Sequence, residues 1–167
     1  MNIEILYILF PIVYAIHAIE ETSTQKRWMK RHADDVSAKL PFARSLINMQ
    51  KSLGNTGFCL IAFEELLVIL IATVAFVYGK MWLLLALVYG FSIHSLLHIG
   101  KAVALRSYVP GVVSVVAFLP YSAATVGNLM VRFGAGYNIG LCLGGTAIVA
   151  ANLMLLHTMW RAIHRLK

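Results

Sequence analysis

Five long apolar runs, none of which contains Lys or Arg, leave this chain few options. They cover roughly residues 3–19, 57–78, 81–99, 109–131 and 137–159. At about 1.5 Å per helical residue, each is close to or above the length needed to cross a hydrocarbon core of about 30 Å. Backbone polar groups in lipid must be satisfied within the segment, so each run is expected to be helical. The expected fold is therefore all-α: a polytopic transmembrane helical bundle of about five spans, forming one membrane-embedded domain over residues 1–167.

The charges support this. Hydrophobic residues make up 60% of the chain and charged residues only 13%, against about a quarter charged in soluble domains. Lys26, Arg27, Lys30, Arg31, Lys39, Arg44 and Lys51 follow the first run; Lys101 and Arg106 follow the third; Arg161, Arg165 and Lys167 follow the fifth. The other side has Lys80 and Arg132 alone. Positive residues gather on the cytoplasmic side, which puts the N-terminus outside and the C-terminus in the cytoplasm of a cell-membrane protein, with a bacterial inner membrane the expected setting. The net charge of +7 is explained this way without a nucleic-acid partner. The first run has no basic flank before it and no small-x-small site after it, so it reads as a retained span and not as a cleaved signal. Cys59 and Cys142 fall inside apolar runs at no metal-ligand spacing and read as small core residues.

The basic connection 22–55 is the one sizeable segment outside the spans. Trp28 and Met29 among basic residues suggest an interfacial stretch. Phe42, Leu46, Ile47, Met49 and Leu53 would form the apolar side of a helix lying on the membrane; a solvated loop with a short helix is the alternative. Gly54, Asn55 and Gly57 should break the chain before the second span. Pro110-Gly111 opens the fourth span and Pro120 should kink it. Gly136, Gly140 and Gly144 make a smooth stripe suited to close packing, including packing against a second copy of the chain. The last two spans look like scaffold.

Ionisable residues inside the runs carry the chemistry. His17, Glu20 and Glu21 close the first, Glu64 and Glu65 lie within the second, and His94 and His98 lie near the end of the third. A carboxylate in hydrocarbon costs at least about 2.5 kcal/mol, so these groups should face one another, water or a metal. At about 100° per residue, Glu20 and Glu21 fall on either side of His17, and His94 and His98 are one turn apart. The inferred topology brings all three helices' polar residues to the cytoplasmic half. Such a set of imidazoles and carboxylates suits one or two divalent ions, zinc or iron. His17, Glu20, Glu64, His94 and His98 are the expected ligands, with Glu21 or Glu65 as supporting partner or general base. His157 is either an extra ligand or an interfacial residue, and His32 and His164 read as solvated. Asn128, Tyr121 and Asn152 either bond between helices or line a substrate path.

The segment His17-Ala18-Ile19-Glu20-Glu21 resembles the signature of a family of bacterial integral membrane proteins named for the HxxEE motif. The similarity extends through Glu64-Glu65, His94-Ser95-Leu96-Leu97-His98 and Tyr108-Val109-Pro110-Gly111. It implies that these His and Glu residues take part in metal-linked catalysis, and it implies no particular reaction. The leading expectation is a membrane-embedded metal-dependent enzyme, a zinc hydrolase or a di-iron-type oxidoreductase, acting on a lipidic or hydrophobic substrate. The competing classes are a metal-ion or proton transporter and a small assembly partner of a larger membrane complex.

Overall fold

The computed structural model describes residues 4–39, 41 and 44–165, which contain helices and no strand. Phe42 and Lys167 lie outside the described residues, as do the side chains of Leu46, Met49, Arg161, His164 and Arg165. A short α1 (Glu4–Ile8) turns at Leu9 into α2 (Phe10–Lys39), where Pro11 offers no N–H to the preceding turn. Then follow α3 (Arg44–Val77), α4 (Trp82–Leu105), α5 (Val112–Ala117), α6 (Leu119–Arg132) and α7 (Ala135–Arg165). Four stretches are long and apolar enough to cross a membrane: Glu4–Lys39, Leu53–Val77, Trp82–Leu105 and Ala135–Trp160. The chain is an all-helical membrane protein.

The segment expected as the fourth span is not one helix. It divides at Phe118 into α5 and α6, because Pro120 cannot donate to the turn before it. The two pieces still follow α1 and α2 in reverse along most of their length. Trp28 Nε1 donates to Tyr108 O at 2.6 Å, the Ser114 amide donates to Glu20 Oε2 at 2.6 Å, and Tyr121 donates to Leu6 O at 2.9 Å. Farther along, Tyr7 donates to Asn128 Oδ1 at 2.9 Å. Asn128 and Tyr121 thus bond between helices.

The connection 22–55 also differs from expectation. Its first half is no separate interfacial stretch but the continuation of α2, whose 30 residues reach about 45 Å. The chain then returns along α2, with Lys51 3.0 Å from Asp34. Ile47 and Leu53 are buried, and Ile47 packs with Met29, Ala33, Val36, Leu105 and Val109. Ile47 and Leu53 are thus covered by protein, while the side chains of Phe42, Leu46 and Met49 lie outside the described residues. The expected break falls at Gly54, whose φ of 63° and ψ of −177° are open to almost no other residue.

The central helix is α4, buried on every side from Leu84 to Phe91. It packs most extensively against α7 at a point where backbones nearly touch. A Cβ on Gly90 would lie 2.7 Å from Gly145 O, and one on Gly145 would collide with Ala86 O. Close packing within the chain therefore runs through Gly90 and Gly145. Among the described residues, the stripe of Gly136, Gly140 and Gly144 meets nothing within 4 Å.

Candidate metal centre

His17 and Glu21 on α2, with His94 and His98 on α4, each offer one ligand-type atom, and these four atoms lie within 4.8 Å of one another. Both pairs are spaced four apart, which stacks them on one face of their helix. The His17 ring stands edge-on to His98 and His94, with centroids 5.1 and 5.6 Å away. His17 and His98 are only 1% exposed.

Hydrogen bonding fixes which nitrogens are available. Ser114 on α5 donates its single hydroxyl proton to Gly111 O at 3.0 Å, so at 3.1 Å its oxygen accepts from His17 Nδ1–H. That leaves the lone pair of His17 on Nε2, a buried nitrogen without a hydrogen-bond partner, 3.5 Å from Glu21 Oε2. His98 Nε2 lies 3.7 Å from Glu21 Oε1 and 2.8 Å from His94 Nε2. Two imidazole nitrogens this close share a proton or give their lone pairs to a cation.

The spacing fits a cation. With bonds of about 2.0–2.1 Å, tetrahedral zinc holds its ligand atoms about 3.3 Å apart. The contacts of 3.5 and 3.7 Å bracket that from above and the 2.8 Å contact from below. The group as a whole spans up to 4.8 Å, so its widest pair would close by about 1.5 Å to seat all four atoms on one ion.

α5 shapes this site through glycine. Gly111 has φ +83°, and a Cβ there would lie 2.6 Å from His17 Cε1 and 3.2 Å from His98 Nδ1. The chain passes the two rings only because no side chain intervenes. The fourth apolar run is therefore part of the site and not merely scaffold, a correction to the sequence reading. Ser114 carries no signal of its own in the sequence, whereas Pro110-Gly111 stood out as part of the family resemblance.

Glu20 and Glu64, expected as ligands, are engaged elsewhere. Glu20 Oε2 accepts from the Ser114 amide at 2.6 Å, while Oε1 accepts from the Val113 amide at 3.2 Å and from Tyr108 OH at 3.0 Å. It satisfies the start of α5, where Gly111 has no side chain to do so. Burial pushes the Tyr108 hydroxyl above its ordinary pKa, and it stays a donor to Glu20. Glu64 accepts from Asn152 Nδ2 at 2.8 Å. Glu21, the next residue, and not Glu20, belongs to the four-residue group.

Glu65 accepts from Tyr14 OH at 2.5 Å. It lines a cavity of about 650 Å³ that His17, Glu21 and His94 also line. The cavity lies between α2, α3, α4 and α7, and its walls are mainly apolar. His157 lines it too, with Nδ1 donating to Leu153 O at 2.6 Å, and is not in the four-residue group. His32 stacks on Trp28 with ring centroids 5.3 Å apart.

Residues 8–125 match the model of a family described as a protein of unknown function with HXXEE motif. No curated protein and no solved structure matches the chain. The matched region contains His17, Glu21, His94, His98, Gly111 and Ser114, and stops short of α7.

Proposed function

We propose, for a chain that belongs to the HXXEE-motif family, a membrane-embedded metal-dependent hydrolase of hydrophobic substrates. The observation that carries this is the convergence of four ligand-type atoms within 4.8 Å on the wall of a largely apolar cavity. His17, His94 and His98 supply the nitrogens and Glu21 the oxygen. With a single carboxylate in the group, one ion suits the site better than the carboxylate-rich pair of a di-iron centre. Three imidazoles and one carboxylate favour zinc over harder cations. With three of the four groups bound and the fourth position left open, a zinc ion would polarise a carbonyl and ease deprotonation of water. Glu65, held by Tyr14, then serves as the base that receives the proton from the cavity side.

The bilayer supplies the substrate, and the cavity takes its apolar part. The basic residues favour an N-terminus outside, a C-terminus in the cytoplasm and the site in the cytoplasmic half of the cell membrane. The reverse course of α5 and α6 along α1 and α2 supports a kinked fifth crossing. A transport pathway has less support. On the side of His17 away from Glu21, the ring of Phe91 packs at 5.4 Å from His17 and also touches Phe10 and Tyr14, leaving aromatic packing where a pathway would need polar steps.

Elemental analysis of protein purified in detergent without chelators tests this reading. One zinc per chain, lost in His94→Ala and in Glu21→Ala, is the expected result. A native protein without bound metal would remove the basis for the proposal.

A further inference from the structure

Lys101 shares a face of α4 with Leu87, Phe91, His94 and His98, since all five lie within about 80° of one another at 100° per residue. It lines the cavity about 21 Å along the helix from Leu87. The wall changes character over that length. Phe10, Leu87 and Ile148 line one end, Gln50, Lys101 and His157 the other, and His17, Glu21 and His94 lie between. Among the described residues no carboxylate forms an ion pair with Lys101.

We infer that the cavity takes a single-chain amphiphile with a carboxylate head, its head on Lys101 and its chain running toward Phe10 and Leu87. The volume of about 650 Å³ falls within the roughly 300–1,000 Å³ of ligand sites and holds one chain but not a whole diacyl lipid. Direction follows from charge. Glu65 and many apolar side chains line the rest of the cavity, leaving the Lys101 end as the place for an anionic head. One lysine balances a carboxylate, whereas a phosphate monoester brings about −1.5 to −2 charges. The binding of the amphiphile stands independently of the metal-centre reading.

The test uses the full chain in lipid nanodiscs, radiolabelled palmitate as probe, and hexadecanol and hexadecyl phosphate as competitors. Metal content is measured on the same samples, with and without chelator treatment. Palmitate should bind and should outcompete both analogues. Lys101→Gln should weaken it about tenfold, the loss of one charge-assisted contact, while Lys101→Arg retains it and both variants keep native metal content. Equal competition by hexadecanol, preference for hexadecyl phosphate, or palmitate affinity unchanged in Lys101→Gln would each overturn the inference. Binding abolished by chelator but untouched by Lys101→Gln would put the head on the metal, overturning the inference and sparing the metal centre. Lys101-dependent binding by a protein without metal would do the reverse.

Discussion

Glu20 and Glu21 are neighbours in sequence and about 100° apart on α2, and that angle sends them to different tasks. Glu21 faces His17 and His98, while Glu20 holds the first amides of α5. Glu21→Gln should therefore lower metal affinity sharply in a protein that still melts near the native temperature. Glu20→Gln should do the opposite, keeping most of the metal and lowering stability by about 0.5–2 kcal/mol, the worth of a helix cap. Metal titration paired with thermal unfolding in detergent checks both, and equal metal loss in the two variants would contradict the division. Ser114→Ala leaves every ligand in place but releases His17 Nδ1, and should cost about 10–100-fold in metal affinity. The HxxEE spacing made the motif legible as a cluster of ligand-type residues on one face. Which glutamate turns inward depends on where α5 docks, and a helix wheel of α2 alone carries no trace of that. Glu64 shows the same limit: its depth in the second span was readable, but its partner Asn152 is 88 residues away.

At the scale of elements, glycine decides which helices can approach. Gly145 and Gly90 bring α7 onto α4 with no room for a methyl group. Gly145→Ala should destabilise the protein by about 1–3 kcal/mol through overpacking, whereas Gly140→Ala, inside α7 and in open space, should raise stability by about 0.5–1 kcal/mol in the monomer. Thermal unfolding of the two variants side by side measures the contrast. The repeating glycines of α7 stood out in the sequence because they are periodic. Gly145 interrupts that pattern, and only its position opposite Ala86 and Gly90 marks it as the contact. The course of 22–39 was obscured in a similar way: basic, polar residues resemble a solvated connection. Yet Met29, Ala33 and Val36 recur at helical spacing and are buried against Ile47 and Leu105.

For the whole molecule, the number of crossings turns on α5 and α6. If they cross together as one kinked span, the short turn around Gly134 lies on the same side as Lys80, and Ser107 lies opposite. Single cysteines at residues 80, 107 and 134, in a chain whose free Cys59 and Cys142 have been replaced by Ala, should label with an impermeant maleimide from outside at 80 and 134 only. Labelling of 134 from the inside would leave four crossings. The apolar runs made the helical membrane fold plain from the start, because lipid tolerates few other solutions. Their number is harder to read, because two short helices joined at Phe118 have nearly the composition of one long one.

The distribution of the site along the chain also has a consequence in time. Every residue of the four-ligand group, together with Gly111 and Ser114, belongs to the first 114 positions. The cavity wall from Ile148 to His157 belongs to α7, which leaves the ribosome after the six helices before it. During synthesis the chain can assemble its ligand set while α7 is still being made. It has no enclosed place for a hydrophobic guest until α7 settles on Gly90. On the proposed reading, a nascent chain would be able to take up an ion before it could hold anything for that ion to act upon.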